Sequence, residues 1–378
     1  MRLWPFARRA SFDGAAVMPD ALSILQDLLR RNVEDVFVVR QAGGRGRGFL
    51  FGGDLLVAPA RALALIEPRF KSHGYTPFLG RERGMTWIQA LPLAEVVERS
   101  RPWLNLTLFL LTVVSTVLAG SGAFFRFDPV AEPLRLLDGL PFAATLLAIL
   151  GTHEFGHYFT ARAYGASVSL PFFIPAPPPF LFGTLGAVIR MRSPARDRNS
   201  LFDIAAAGPL AGMLVAIPAV WLGLAWSRVA EIPKTGAITF GDSLLMRLMT
   251  WAMFGPIPEG SDVFVHPVAL AGWVGFFVTA LNLFPVGQLD GGRIAYALFG
   301  PHHRKVSLGT FAALLALGAV SGSANWFVFA GLVALLIGFH HAPPLDDLTP
   351  LSPGRYAVGV LCLVLLVLLV PPVPIALS

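Results

Sequence analysis

The chain has 378 residues, of which 55% are hydrophobic and only 14% are charged, and its mean hydropathy is +0.65. Soluble domains carry about 25% charged residues, so this deficit, spread over several long apolar runs, excludes an ordinary soluble protein and predicts a polytopic membrane protein. The net charge of +6 reflects an excess of Lys and Arg over acidic residues. Such an excess is typical of the segments that flank membrane spans on the cytoplasmic side. Because no basic stripe with interleaved aromatic residues is present, we expect no nucleic-acid partner. The single cysteine, Cys362, excludes an internal disulfide and a cysteine-based metal site.

The first hundred residues differ from the rest, with short apolar runs and mixed charges. We predict that residues 1–100 form a small soluble α+β domain. Helices are predicted at Asp20–Arg31, where four leucines fall on one face, and at Pro59–Lys71. The other predicted elements are strands at 36–40, 75–79 and 85–91 and a glycine-rich turn and hairpin at 43–53.

From Pro102 onward the sequence predicts a mostly α-helical membrane bundle at 101–378, with its core at 137–300. We expect about seven spans, in a range of six to eight, because each apolar run is roughly long enough to cross a bilayer core of about 30 Å. The fourth run is long and is expected to kink at Pro285. The runs lie at 102–125, 137–164, 203–227, 268–300, 305–321, 324–342 and 355–375.

The distribution of charge predicts the orientation in the membrane. If the N-terminus is inside, the connection 165–202 is also inside, and its end carries four arginines against one aspartate. The outside connection 228–267 then carries four acidic residues against three basic ones. This asymmetry follows the positive-inside rule. We therefore expect a multi-pass protein of a bacterial inner membrane, with its N-terminal domain in the cytoplasm.

The connection between the second and third runs is unusual. Residues 171–192 are apolar but rich in Pro and Gly, so they cannot form a regular spanning helix. Backbone at membrane depth must be buried in protein or line a wet cavity. The residues after Gly183, at 184–191, have the composition of a β-strand. We predict a membrane-dipping hairpin or loop, which is a candidate surface for pairing with an extended peptide.

The strongest chemical signal is the sequence His153-Glu154-Phe155-Gly156-His157 inside the second run. Two histidines four residues apart on a helix share a face, so both imidazoles can reach one zinc ion. The glutamate between them can take a proton from the attacking water and deliver it to the leaving amine. Ionisable residues at membrane depth are costly and usually functional. The alternative is a packed or pore-facing polar cluster, as in a zinc- or ion-handling transporter.

A hydrolytic zinc site needs a third protein ligand and an open position for water. The HExxHxxGxxH extension is absent, and no glutamate occurs between Glu154 and Glu231. Of the later acids, only Asp203 and Asp290 adjoin apolar segments usefully. Asp203 lies beside the arginine cluster and is interpreted as a helix-start or charge-pairing residue. Asp290 lies in the fourth run at a membrane depth similar to that of the histidines, and it is the candidate third ligand.

The two motifs together resemble a known family. HEFGH in one apolar run, followed by NLFPVGQLDGG at 282–292, resembles the site-2 protease family of intramembrane zinc metalloproteases. FDIAAAGPLAG at 202–212 resembles the third core segment of that family. FFIP, GTLGA and an N-terminal α+β domain make the pattern most similar to the EGY-like branch of plastids and cyanobacteria. The resemblance covers residues 100–300 well and the N-terminal domain weakly.

The resemblance implies a role for each candidate residue. His153, His157 and Asp290 match the zinc ligands, and Glu154 matches the catalytic glutamate. Asn282 matches the asparagine that begins the second motif, so it is expected to hold the substrate backbone or the developing oxyanion. The family often has Asn-Pro at this point, whereas Leu283 follows here. Pro285 and Gly287, three and five residues after Asn282, can supply the helix break instead.

The implied activity is hydrolysis of peptide bonds in the transmembrane helix of another membrane protein, in or near the bilayer, with one Zn²⁺ per chain. The partners are therefore a membrane-protein substrate and the lipid bilayer, and the oligomeric state is left open. Besides the transporter, a catalytically silent membrane scaffold is the other alternative.

Two further features lie at the ends or in the middle of predicted spans. The pairs His302-His303 and His340-His341 are expected to extend toward the membrane interface, with a second metal site as the alternative. Gly208 and Gly212 are expected to allow close approach between helices of the bundle.

Overall fold

Helices dominate the computed structural model, which describes residues 20–45, 48–82, 84–92, 101–123, 127–177, 180–232 and 238–377. The helices are α1 (Asp20–Arg31), α2 (Pro59–Lys71), α3 (Pro102–Ser121), α4 (Leu140–Ala163), α5 (Arg198–Ala225), α6 (Leu244–Phe254), α7 (Pro267–Leu283), α8 (Asp290–Phe299), α9 (His303–Ser321), α10 (Ala324–Leu332) and α11 (Pro353–Leu369). The strands are β1 (Phe37–Arg45), β2 (Gly48–Leu55), β3 (Thr76–Glu82), β4 (Met85–Leu91), β5 (Phe172–Pro175), β6 (Thr184–Val188), β7 (Arg228–Glu231), β8 (Ile238–Phe240), β9 (Ser261–Phe264) and β10 (Ile375–Leu377).

The elements before residue 92 form an antiparallel sheet of four strands, in the order β1-β2-β4-β3, with α1 and α2 packed on it. Leu29 of α1 and Leu63 of α2 are fully buried with Phe37 and Phe51 of the sheet. Both helices have the predicted limits. The glycine-rich stretch is the end of β1 and most of β2, and residues 46–47 between them lie outside the described part of the chain, as do residues 93–100 at the predicted domain boundary.

A segment from the far end of the chain joins this sheet. The Leu79 N–H donates to the Leu345 carbonyl oxygen at 2.7 Å, and the Asp347 N–H donates to the Leu79 carbonyl oxygen at 2.9 Å. The Leu345 side chain is buried in the same apolar core as the sheet. The Leu345 N–H also donates to the Ala195 carbonyl oxygen at 2.9 Å, just before α5. Residues 345–347 therefore tie the N-terminal sheet to the helical bundle.

Four stretches of the described helices are long and apolar enough to cross a membrane. They are α3, α4 with the short 3₁₀ helix that precedes it (Pro133–Ala163), α5, and the combined stretch of α8 and α9 (Asp290–Ser321). The shorter apolar helices are α6, α7, the stretch Ala324–Ile337 and α11. The predicted, mostly α-helical architecture with several spanning helices is confirmed.

The fourth apolar run is predicted to be one kinked span, but the structure divides it into two helices. Helix α7 ends at Leu283 and α8 begins at Asp290, so residues 284–289 form a turn between two helices. Pro285 has no N–H to continue a helix, and Gly287 has φ +55°, which L side chains rarely adopt. Asp290 therefore begins a separate short helix instead of lying in the middle of a long one.

The centre of the bundle is the packing of α4, α5 and α7, and small residues set its spacing. A Cβ on Gly223 of α5 would lie 2.2 Å from the Ala269 nitrogen of α7, and one on Gly275 of α7 would lie 2.9 Å from the Ile149 side chain of α4. Only glycine at these positions allows the three helices to approach so closely. This contact brings the motif on α4 close to the end of α7.

The predicted hairpin is present. Strands β5 and β6 pair antiparallel, with Phe172 opposite Val188, and residues 178–179 of its connection lie outside the described residues. Helix α3 supports the hairpin: Asn105 donates to the Pro171 carbonyl oxygen at 2.9 Å, and the Ser115 hydroxyl donates to the Gly183 carbonyl oxygen at 2.6 Å. Helix α3 thus supplies hydrogen-bond donors to backbone carbonyl groups at both ends of the hairpin region.

Candidate metal centre

Helix α4 presents His153 and His157 on the same face, one turn apart. Their Nε2 atoms lie 3.1 Å from each other, and both side chains are buried, with 4% and 3% of their surface exposed. The two imidazoles therefore converge on one small, enclosed point.

Asp290, at the first position of α8, completes this convergence. Its Oδ2 atom lies 3.1 Å from His157 Nε2 and 3.3 Å from His153 Nε2. Its Oδ1 atom faces away, 3.8 Å from Arg293 Nη1. Tetrahedral zinc binds nitrogen and oxygen at about 2.0–2.1 Å, which separates neighbouring ligand atoms by about 3.3–3.4 Å. The triangle of Asp290 and the two histidines has nearly these dimensions.

The protonation of His157 is fixed by its second nitrogen. His157 Nδ1 lies 2.6 Å from the Ile204 carbonyl oxygen of α5, which can only accept, so Nδ1 carries the proton. In the neutral ring, Nε2 then points a lone pair toward the Asp290 carboxylate. Two acceptors 3.1 Å apart repel each other unless a cation lies between them. The donor set therefore fits a bound metal ion, and no bond of α5 needs to break to admit one.

Glycines of α5 make room for the histidines. A Cβ on Gly208 would lie 2.1 Å from His157 Nε2, and a Cβ on Gly212 would lie 3.3 Å from the His153 Cβ. Conversely, a Cβ on Gly156 of α4 would lie 2.7 Å from the Ala207 carbonyl oxygen. The close approach that the sequence predicts for Gly208 and Gly212 is present, and it occurs at the histidines themselves.

Two other predicted residues lie at the same place. Glu154 is buried, with 6% of its surface exposed, and its carboxyl group lies near the backbone of Ile189, directly after β6. Asn282, in the last turn of α7, places Nδ2 3.4 Å from His153 Nε2. The structure thus brings all five residues singled out from the sequence to one site, between α4, the end of α7 and the start of α8.

The remaining polar predictions have different outcomes. Asp203 pairs with Arg355 of α11 and accepts a hydrogen bond from the Tyr164 hydroxyl, so its predicted charge pairing is found, while α5 begins five residues earlier than expected, at Arg198 after the Asp197 cap. The prediction that His303 extends to the interface is wrong, because the residue is only 2% exposed and its ring lies beside that of Tyr296. Among the described residues, no second group of three His, Cys, Asp or Glu side chains converges as the metal centre does.

Comparisons with known proteins agree with this geometry. A model of peptidase family M50 matches residues 141–324, a range that includes all five site residues. The protein named probable zinc metalloprotease EGY1, chloroplastic, from Arabidopsis thaliana is 32% identical over 377 residues, covering 88% of this chain and 67% of the relative. This chain belongs to peptidase family M50. The family resemblance predicted from the sequence is confirmed.

Two other relatives of this M50 family member carry similar names. Probable zinc metalloprotease EGY2, chloroplastic, from Arabidopsis thaliana is 28% identical over 376 residues, covering 93% of this chain and 65% of the relative. Probable zinc metalloprotease EGY3, chloroplastic, from Oryza sativa subsp. japonica is 31% identical over 307 residues, covering 73% of this chain and 50% of the relative. The chain thus spans between half and two thirds of the length of these relatives. With its apolar helices, it is an integral membrane protein of the M50 family.

Sequence reasoning missed the groups that surround the ligands. The Ile204 carbonyl that fixes the His157 tautomer is a backbone group, so its position depends on how α4 and α5 pack and no residue type marks it. Arg293, beside Asp290, does have a signal, because residues three apart on a helix are neighbours. Applied to the start of α8, that spacing identifies Arg293 from sequence.

Proposed function

We propose that this protein is an intramembrane zinc endopeptidase that binds one Zn²⁺ per chain and hydrolyses peptide bonds of transmembrane substrates in or near the bilayer. The observation that carries the proposal is the buried triangle of His153, His157 and Asp290, whose ligand atoms have the spacing of tetrahedral zinc. A zinc-handling transporter also needs convergent ligands, but hydrolysis needs in addition a carboxylic acid beside them as general base, which Glu154 provides, and the relatives reported above are named as metalloproteases.

Each residue has a proposed role in hydrolysis. His153, His157 and Asp290 hold the metal, which supplies Lewis-acid polarisation of the scissile carbonyl and acidifies a water molecule. Glu154 accepts the proton of the attacking water and returns it to the leaving amine nitrogen. Because Glu154 is buried and directly follows His153, it can act at the bond under attack while bulk water is excluded. Asn282 donates its amide N–H to the substrate carbonyl oxygen as negative charge develops there.

The proposed substrate is the transmembrane helix of another membrane protein, which must unwind locally because a helix hides its carbonyl groups from attack. The proposed arrangement has about seven spans, in which the shorter apolar helices α7 and α11 and the stretch Ala324–Ile337 also enter the bilayer. The charge asymmetry supports an N-terminal domain of about residues 1–100 on the cytoplasmic side. We propose a bacterial inner membrane as its location, whereas the relatives reported above are named chloroplastic.

The test compares wild type with Glu154→Gln and Asp290→Ala, purified and reconstituted in lipid vesicles with a single-span reporter helix that contains a Gly-Pro pair. Glu154→Gln is expected to keep one zinc per chain by elemental analysis and to lower the cleavage rate by about 10²–10⁴-fold, the typical contribution of a general base. Asp290→Ala is expected to lose both zinc and cleavage.

Thr152→Val is the matched control, because Thr152 precedes the motif on α4 and its hydroxyl donates only to the Ala148 carbonyl oxygen of its own helix. It is expected to cleave at the wild-type rate. Cleavage by Glu154→Gln at the wild-type rate, or a wild-type protein without zinc, would contradict the proposed function.

A further inference from the structure

The turn that carries Asp290 has a hydrogen bond to a neighbouring helix. The Gly287 N–H donates to the Ser307 hydroxyl of α9 at 3.2 Å. Nearby, the Thr310 hydroxyl of α9 donates to the Pro285 carbonyl oxygen at 3.5 Å. The helix break leaves these backbone groups without helical partners, and the hydroxyls of α9 replace them.

Ser307 has a second partner on its own helix. Its hydroxyl lies 3.2 Å from His303 Nε2, one turn earlier, and both side chains are buried, with 0% and 2% of their surface exposed. A hydroxyl has one proton and two lone pairs. Since the Gly287 N–H takes a lone pair, the Ser307 proton can go to His303 Nε2, which then acts as an acceptor. This contact fixes the rotation of the hydroxyl so that its lone pair faces Gly287.

The His303 ring is positioned by a cluster of rings. Its centroid lies 5.8 Å from Tyr296 and 6.0 Å from His341, and these two rings lie 5.0 Å from each other. The Tyr296 hydroxyl donates to Asp347 Oδ2 at 3.0 Å, and Arg198 donates to the other oxygen of Asp347. Tyr296 belongs to α8, the helix that Asp290 begins. The cluster therefore connects the far end of α8 with His303.

The turn and the first residues of α8 cannot move independently. A Cβ on Gly292 would lie 2.5 Å from the Gly287 carbonyl oxygen, and a Cβ on Gly291 would lie 1.9 Å from the Leu283 carbonyl oxygen. These glycines directly follow Asp290 and pack their backbone on the turn. A shift of Gly287 therefore shifts the Asp290 carboxylate, which must stay about 3.3 Å from both histidine nitrogens to share a zinc ion with them.

We propose that His303 and Ser307 are positioning residues for the metal centre, which hold the turn at 284–289, and with it Asp290, at the distance that zinc requires. The inference rests on the proposed function, because it takes zinc as the ion that Asp290 binds. Neither residue touches the metal site. They act through the backbone of Gly287, so that an imidazole and a hydroxyl on α9 set the affinity of a site on α4 and α8.

The experiment measures zinc affinity of the purified, full-length protein by competition with a chelator, in His303→Phe, Ser307→Ala and the double variant. His303→Phe keeps a ring of similar size beside Tyr296 but has no acceptor. Each single variant is expected to bind zinc about 10–100-fold more weakly, as is typical when a partner behind a metal ligand is lost. The double variant is expected to bind zinc about as weakly as the single variant with the lower affinity, because both substitutions interrupt the same chain of contacts.

Rescue separates positioning from a general effect on stability. His303→Gln places an amide oxygen near the position of Nε2 and is expected to bind zinc within about threefold of wild type, since the lost contact, and with it the 10–100-fold penalty, is restored. Hydrogen exchange of the amides at 286–289 in the metal-free protein is expected to be faster in Ser307→Ala than in wild type. His302→Gln, at an exposed histidine next to His303, is the matched control and is expected to match wild type.

The outcomes are distinguishable. If folded Ser307→Ala and His303→Phe bind zinc as wild type does, or if their losses add and His303→Gln rescues nothing, the positioning role is overturned while the proposed function stands. If wild-type protein binds no zinc, the proposed function itself fails. Should His303→Phe not fold, Ser307→Ala, which removes a single oxygen atom, still decides the question through zinc affinity and hydrogen exchange.

Discussion

Gly208 has no side chain, and the imidazole of His157 occupies the space where one would lie. The spacing of His153, Glu154 and His157 was readable from the sequence because a helix puts positions four apart on one face. The need for glycine opposite them was readable only as close helix packing, since the sequence does not give the rotation of α5 against α4. The burial of His303 is not predictable from the sequence for a similar reason, because it depends on α8 and on a distant histidine, His341.

Gly208→Ala is expected to push His157 away from Asp290 and to weaken zinc binding by at least about tenfold, comparable to losing a group that orients a ligand. The cause is the contact of 2.1 Å that the new Cβ would make with His157 Nε2. Chelator competition measures the change. Gly309→Ala is the control, because a Cβ on this glycine of α9 would meet nothing within 4 Å. Equal zinc affinity in the two variants would contradict the expectation.

Asn282→Ala tests the proposed contact with the substrate carbonyl. We expect kcat to fall about 10²–10³-fold, the usual cost of removing one oxyanion donor, with zinc content unchanged and KM within about threefold. Cleavage of the reporter helix as a function of its concentration in the vesicles gives both constants. An unchanged kcat would show that Asn282 does not act on the transition state, and loss of zinc would show that it supports the ligands instead.

At the scale of elements, the break between α7 and α8 is the feature that makes the site. The sequence predicts a kink at Pro285, which is correct in position, but it predicts one continuous span where the structure has two helices. A proline inside an apolar run is compatible with either a kink or a break. The residues after Pro285 decide between a kink and a break. The positive φ of Gly287 ends the helix, and hydroxyl groups of α9 form hydrogen bonds with the backbone groups that have lost their helical partners.

Helix α5, which carries Ile204 and Gly208, begins at a capping box. Asp197 accepts from the Ser200 N–H at 2.7 Å, and the Ser200 hydroxyl lies 3.0 Å from the Asp197 nitrogen. Asp197→Ala is expected to lower the free energy of unfolding by about 1 kcal/mol, whereas Asp197→Asn, which keeps a capping oxygen, is expected to change it by a few tenths. Thermal unfolding in detergent compares the two variants, and equal melting temperatures would contradict the capping role.

At the scale of the whole molecule, the N-terminal sheet is connected to the bundle by residues that lie more than 250 positions later in the sequence. The helices and strands before residue 92 were largely predictable, because each is local and has a clear apolar pattern. The pairing of Leu79 with Leu345 and Asp347 was not, since a three-residue segment between two apolar runs has no strand signal of its own. Burial raises the pKa of the Asp347 carboxyl, despite its ion pair with Arg198.

Leu345→Asp is expected to detach the segment from the N-terminal sheet, because it places a charge in an apolar core where the leucine is 6% exposed. The Leu79 amide is then expected to exchange hydrogen at least about tenfold faster, while the amides of β4 stay protected. Hydrogen exchange read by mass spectrometry gives the comparison, with Leu345→Met as the control of similar volume. Unchanged exchange at Leu79 would mean that the segment is not held by its leucine.

The same segment has a consequence for anyone who wishes to prepare a minimal form of this protein. Leu345 and Leu348 belong to the sequence of the membrane half, yet their apolar surface is covered by the N-terminal sheet. A shortened protein that begins near Pro102 would present both leucines, and the open edge of an extended segment, to water. Such a surface favours aggregation during expression and purification. Polar replacements at both leucines are therefore the first changes to make in a shortened form.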